Sequence, residues 1–323
     1  MKGLRTFSKQ AVVICAGVCA AAAFFPAEIH AQGQGGQAVE RAQLLRTQAA
    51  LRDEPPGTTE GGDSAAPASP NDPDLGDQAI LKRAEHYRAF TVYASAPVSY
   101  TSNVALSRSN EQGDVLFTPG IGISYAPRFS PTFFGNFSVG QQFFLYDRFD
   151  GLDFGSFDLR AGLSYVLPNV HNLLLRADYD YNRLTGSQSF DAFFTSHSIV
   201  LGAEVPFRIG RAQQVSVGTD LSFVLAADPD QPARHDFSVF AAYQVNLTRA
   251  LTASVVGRLA VREYVEGSRR DVSGTLALGL NYRFTEWLSA NAVSTLATSD
   301  SNQDVFDYEV ANIGAALSLA FRF

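Results

Sequence analysis

From Phe90 to Phe323, apolar side chains recur at every second position in one stretch after another. The last stretch, NIGAALSLAFRF, shows the pattern. Ile313, Ala315, Leu317, Leu319, Phe321 and Phe323 share one parity, and Asn312, Gly314, Ser318 and Arg322 share the other, with Ala316 and Ala320 between them. A period of two is that of a β-strand, so one face of each stretch meets an apolar medium and the other a wetter one. AFTVYASAPVSY places Phe90, Val92, Ala94, Ala96, Val98 and Tyr100 on one face. VLFTPGIGISY, read as a single strand, does the same with Val115, Phe117, Ile121, Ile123 and Tyr125.

Further strands are expected near residues 133–146, 155–167, 172–182, 193–207, 213–225, 236–246, 251–264, 272–283, 288–298 and 307–323. The tally is about twelve, each near the ~10 residues or slightly more that a tilted membrane strand requires. The stretch LSANAVSTLAT fits least well, because its alternation slips around Ala292 and Val293.

The chain is 46% hydrophobic, yet beyond its first thirty or so residues no run reaches the ~18 apolar residues of a membrane helix. High apolar content broken into alternation is the pattern of a sheet that faces lipid on one side. The formal net charge of -7, from 25 basic and 32 acidic side chains, argues against a nucleic-acid partner.

The connections alternate in character. PRFSP, LPNVH, RIGRAQ, NLTRA and FTEW are tight turns, whereas TSNVALSRSNEQG, DRFDGLD, RLTGSQSFD, AADPDQPARH, VEGSRR and TSDSNQDVF are mostly longer and more polar. Orienting the strands by these connections puts Tyr125, Tyr165, Phe207, Tyr243, Tyr282 and Phe323 at the turn ends. Tyr100, Tyr181 and Phe223 fall at the loop ends, so aromatic rings mark both headgroup levels. The expected fold is all-β: a transmembrane, antiparallel, up-and-down β-barrel of about twelve strands over residues 90–323, its turns and both termini periplasmic.

The chain end resembles the C-terminal signature of bacterial outer-membrane proteins, with Leu319, Phe321 and Phe323 at the matching positions. That resemblance implies recognition by the barrel-assembly machinery and insertion into the lipid of a Gram-negative outer membrane. Within it, YTSNVALS is similar to the β-barrel porins of the porin-2, or exopolysaccharide-associated, kind. This implies a pore or export-linked barrel and assigns no residue a role.

The N-terminus carries Lys2 and Arg5, then AVVICAGVCAAAAFF, then a small residue, Ala31, before Gln32. Residues 1–31 therefore read as a secretory signal peptide. Cys15 and Cys19 lie within it, so no cysteine remains to form a disulfide, a nucleophile or a metal site in the exported chain. Residues 32–89 read as a short periplasmic extension. In it, 37–53 has helical composition with Ala38, Ala42, Leu45 and Ala49 near one face, and 54–75 is a Pro-, Gly- and Ser-rich linker. Residues 77–89 suggest a second short helix capped by Asp77. The extension could plug the lumen, tether a periplasmic partner or act as spacer.

The inward frame carries Asp158, Arg160, Arg176, Asp178, Asp180, Glu204, Asp220, Arg258, Arg262, Arg283 and Arg322. Ions are costly in hydrocarbon, so these groups must meet water or one another. One reading is a pore lining, acidic on the fourth to seventh strands and basic on the ninth, tenth and twelfth, with a field across the channel. The other is an ion-pair network that fills a narrow barrel.

Catalysis finds little support. His197, on the outward frame, has Thr195 and Ile199 as same-face neighbours, so a His/Ser pair on one face is missing. His86, His171 and His235 are scattered, and Asp228–Asp230 lacks calcium-loop spacing. The sequence thus points to a non-enzymatic barrel with no cofactor and no metal. The expected function is passive passage of small solutes or ions, with a non-conducting or export-linked structural barrel as the alternative.

Overall fold

The structure, a computed structural model, describes residues 39–42, 44, 87–187, 190–210 and 212–323. The expected signal peptide, the linker at 54–75 and most of the second helix lie outside the described residues; residues 87–89 of that helix carry no regular structure.

Fourteen β segments follow one another: β1 (Phe90–Thr101), β2 (Asp114–Phe117), β3 (Gly120–Tyr125), β4 (Arg128–Ser130), β5 (Phe133–Tyr146), β6 (Phe154–Leu167) and β7 (Leu173–Gly186). Then come β8 (Ala192–Ile209), β9 (Gln213–Asp228), β10 (Arg234–Asn246), β11 (Leu251–Tyr264), β12 (Arg270–Arg283), β13 (Leu288–Ser301) and β14 (Tyr308–Arg322). β2 and β3 are two parts of one stave, since both pair with β1 on one side and β5 on the other. β4 only extends the following turn against β5. The wall is therefore a closed, antiparallel, up-and-down barrel of twelve staves.

Two prolines explain the break in the second stave. Pro119 has no N–H to give the ladder, and it lies close to Pro97 on β1. The carbonyls still serve: Thr118 N donates to Pro97 O at 2.9 Å and Phe143 N to Pro119 O at 2.9 Å. Closure comes from β14 on β1, in register from Thr91↔Arg322 to Thr101↔Asn312. Closing the sheet leaves no backbone edge to lipid, which a membrane wall requires.

Alternation sets the faces. Val98, Tyr100, Ile121, Ile123, Leu276, Leu278, Leu280, Ile313 and Leu317 are all exposed on the outside, while their neighbours in sequence turn inward. The aromatic residues of the turn end are also on the outer surface, with Tyr125, Tyr165, Phe207, Tyr243, Tyr282 and Phe323 all exposed. β13 shows no slip in backbone register, pairing without interruption from Asp271↔Ser301 to Arg283↔Ser289. Val293 faces inward there because its partners across both ladders are Gly279 and Gly314, which leave room for it.

β7 and β9 run three to four residues farther toward the loop end than alternation alone indicates, and β8 reaches 18 residues by gaining one at its loop end and two at its turn end. Pairing needs no lipid, so the ladders continue above the apolar belt into a raised collar.

Candidate functional site

Midway along the barrel, the inward frame carries a belt of ions. Arg160 lies directly opposite Asp180 in the β6–β7 ladder and grips it with two hydrogen bonds, Nε to Oδ1 at 2.7 Å and Nη2 to Oδ2 at 3.0 Å. On the next staves Asp220 accepts from Arg176 Nη2 at 2.9 Å and from Arg258 Nη2 at 3.2 Å. Asp158 accepts from Ser156 and from Asn182, at 3.0 and 2.9 Å. The opposite charges are thus not separated across the lumen; they interlock along one arc of the wall, from β6 to β11.

Glycine makes this crowding possible. A Cβ on Gly162 would come within 1.9 Å of Asp178 Oδ1 and 2.6 Å of the Ala177 carbonyl. Gly218 likewise admits the Phe240 ring, over which the Arg258 guanidinium sits at 5.4 Å.

At the level of this belt, the facing staves carry uncharged polar groups. Asn281 donates to Asn291, which donates to Ser318 Oγ at 3.0 Å. A cavity of about 140 Å³ lies against this side, lined among others by Tyr93, Ser95, Ser138, Gln142, Asn291 and Ser318, with Asp158 at its border with the ionic arc. The lumen thus offers an ion-paired wall and an amide-and-hydroxyl wall face to face.

Four of the charged residues lie outside the belt. Glu204 and Arg283 approach the turn end, where Arg283 Nη2 donates to the Arg249 carbonyl at 3.1 Å. Arg322 ends the last strand, exposed. Arg262 belongs instead to a second cluster near the loops, donating to Tyr308 Oη at 3.4 Å and lying 3.9 Å from Asp236. The inward frame of β10 and β12 adds Arg234, Asp236 and Asp271, whose parity alone would have disclosed them. Arg234 meets Asp236 at 3.0 Å and Tyr264 Oη at 3.1 Å.

The loop end holds what alternation did not disclose. Inward positions there are apolar: Leu116, Phe144, Phe154, Leu184 and Phe194 are all buried. Phe144 stacks on Phe154 with centroids 4.3 Å apart. The sequence signal was available in FFLY (143–146) and FF (193–194), which are apolar in both parities.

Against this collar pack Val39 and Ala42, at 1% and 0% exposure. Leu44 packs against Leu106, Ala297, Tyr308 and Val310 on the opposite arc. Residues 39–42 and 44, from the expected N-terminal extension, are helical and lie at the loop end of the barrel. The physical reason for their position is the collar itself, whose inward rings and leucines need an apolar cover that water cannot supply.

Two charged residues of the segment add specific contacts. Glu40 accepts from Arg269 Nη2 at 3.2 and 3.3 Å, and Arg269 also grips Asp271. The Arg269 guanidinium lies between two rings, 4.1 Å from the Tyr264 centroid and 3.6 Å from that of Phe306. Burial pulls this guanidinium down, but the hydrogen bonds to Asp271 and the nearby Glu40 outweigh it and hold it above its ordinary value. Arg41 donates Nη1 to the Val104 carbonyl at 3.0 Å, but its Nε and Nη2 are buried without a hydrogen-bond partner among the described residues. Burial accordingly holds the Arg41 guanidinium below its ordinary value, with a smaller opposing effect from Tyr146.

Val104 is presented by the first long loop. Asn103 Nδ2 donates to Ser107 O at 2.7 Å and to Glu309 O at 3.0 Å, folding YTSNVALS inward over the mouth.

On the outer face, His197 Nδ1 lies 2.6 Å from Tyr179 Oη, and its ring packs on Tyr181 with centroids 4.9 Å apart. Among the described residues, no group of histidines, cysteines and carboxylates could hold a metal ion. Leu319, Phe321 and Phe323 share the outward frame of β14, with Phe321 and Phe323 exposed.

No known family model matches the chain, and no curated protein does. Among solved structures it is similar to the COG4313 outer membrane channel from Pseudomonas putida F1, with 12% identity, 76% of this chain and 100% of that one covered, and a TM-score of 0.52. OpdQ of Pseudomonas aeruginosa (11% identity, 74% and 100% covered, TM-score 0.36) is also similar. So is the outer membrane channel DcaP of Acinetobacter baumannii (7%, 72% and 96%, 0.40). With its apolar outer frame and charged inner frame, the chain is a closed twelve-stave β-barrel whose fold is similar to that of an outer-membrane channel.

Proposed function

We propose that the protein is a passive channel of the outer membrane, passing small hydrophilic solutes or ions through a lumen of mixed charge. The observation that carries this reading is the inner wall itself. Arg160, Asp180, Arg176, Asp220 and Arg258 are charged groups on the inner face of the closed sheet, and a cavity bordered by Ser, Gln, Asn and Asp158 lies beside them in the same lumen. Arg160 keeps 44% of its side chain exposed although it is paired, so the inner wall is wetted, and water through a barrel is a conduction path. The longer loops face outward in this reading, and the turns, the start of β1 and the C-terminal Phe323 face the periplasm. Of the charged residues, Asp158, Arg160, Arg176, Asp178, Asp180, Asp220 and Arg258 border the path, with Arg262 at its loop end and Glu204, Arg283 and Arg322 toward its turn end.

The pairing of charges bears on selectivity. An interlocked arc has little net field, so the channel discriminates weakly between cations and anions, and solute size dominates. The test is current across a planar bilayer containing the refolded chain from Gln32. Discrete steps of reproducible size are expected. A folded barrel that passes no current, with residues 32–45 present or removed, overturns the reading.

A further inference from the structure

The channel just described has its loop-side mouth crossed by a piece of its own chain. Val39 and Ala42 cover the collar on the β2, β5, β6, β7 and β8 arc. Leu44 covers the β13 and β14 arc. Glu40 reaches the loop between β11 and β12. Contacts on all sides of a barrel from so few residues mean that the segment spans the opening.

We propose that Val39–Ala42 and Leu44 form a built-in plug that closes the loop-side mouth, latched by Glu40 in a carboxylate seat formed by Arg269. This rests on the channel reading for its consequence, but not for its geometry.

Three observations support a seated plug over chance contact. First, the cover is dry: Val39, Ala42 and Leu44 are 1%, 0% and 4% exposed. Second, the seat is preorganised without the plug. Arg269 is held by Asp271 through both Nε and Nη2 and lies between Tyr264 and Phe306, and the Nη2 fixed in this way is also the one that meets Glu40. A guanidinium fixed in this way loses little freedom on gripping a carboxylate. Third, the inward apolar residues make sense only with a cover, because a purely aqueous mouth would leave Leu116, Phe144, Phe154, Leu184 and Phe194 wetted.

The same segment carries a destabilising element. Arg41 is 4% exposed, and two of its nitrogens lack a partner among the described residues. A buried guanidinium with one hydrogen bond is poorly compensated. The plug therefore combines a favourable latch with an unfavourable charge next to it, and the balance between the two sets how readily it opens. A loop-side stimulus that engages Arg269 or moves the Val104 loop acts on that balance.

The experiment uses the chain from Gln32, which has no cysteine, carrying Leu44→Cys. An impermeant maleimide added to refolded barrel in vesicles reports how often position 44 leaves its seat. Slow labelling is expected, accelerated roughly tenfold or more by Glu40→Gln, which removes the latch and leaves the Arg269–Asp271 pair intact. Fast labelling without Glu40→Gln, or no acceleration with it, overturns the plug.

Conductance of a chain beginning at Arg46 provides the second readout, and higher open probability than the chain from Gln32 is expected. Equal open probability in two conducting forms also overturns the plug. If both forms fold and remain silent, the channel reading fails, while the labelling result still decides the plug.

Discussion

Arg160 and Asp180 face each other across one rung of the β6–β7 ladder and are joined by two parallel hydrogen bonds of 2.7 and 3.0 Å. A pair in this fork neutralises itself where it stands, so neither member imposes its sign on the lumen.

Removing one member exposes the other. Arg160→Met leaves Asp180 without its guanidinium, and the cation-to-anion permeability ratio should rise by roughly twofold, the effect of a unit charge at ~8 Å in water. Reversal potentials in a salt gradient measure it, and an unchanged potential removes the pair from the conduction path.

Asp220 makes the complementary prediction, since it serves both Arg176 and Arg258. Asp220→Asn should turn the preference toward anions by roughly twofold or more, with two arginines released. Neutralising Arg258 and Arg262 together should move it toward cations. Shifts of the same sign in both variants would contradict a lining role.

Gly162 should not tolerate even a methyl group. Its Cβ would strike Asp178 and, less forgivingly, the Ala177 backbone carbonyl at 2.6 Å. Gly162→Ala is expected to cost about 1–3 kcal/mol in urea unfolding from micelles. Gly257, where a Cβ would meet nothing within 4 Å, is the control, and Gly257→Ala should be near neutral.

Arg41 allows a prediction opposite in sign to that for Glu40. Arg41→Met removes the poorly compensated charge while keeping an apolar stem of similar reach, so the segment should sit more tightly. Maleimide labelling at Leu44→Cys should slow by a few-fold in this background. Faster labelling would mean that the Val104 contact outweighs the buried charge.

Phe323 tests the biogenesis inferred from the chain end. Its ring is exposed on the outer face, and its N–H donates to the Phe90 carbonyl at 2.9 Å. Deleting it should lower the amount of heat-modifiable barrel in the outer membrane several-fold without preventing refolding in detergent. An equal loss in both settings would indicate a closure defect and not failed recognition by the assembly machinery.

The alternation from Phe90 to Phe323 by itself determined the fold. In a closed wall each residue has only two destinations, lipid or lumen, and parity selects between them. That is why the inward positions of Asp158, Arg160, Arg176, Asp178, Asp180, Asp220, Arg258 and Arg262 were legible from parity, and why β13 kept its register despite an awkward Val293. Which charges meet was not legible, because Arg176 reaches Asp220 two staves away, and neither parity nor spacing encodes a curved wall. The tertiary structure alone also decided where residues 39–42 and 44 go. A short apolar helix turn is a common motif, and only a barrel that gathers Leu116, Phe144, Phe154, Leu184 and Phe194 from separate staves makes a collar for it to cover. The separation in sequence between a plug and its seat is large, and the contact that joins them, Glu40 to Arg269, exists only after the sheet has closed.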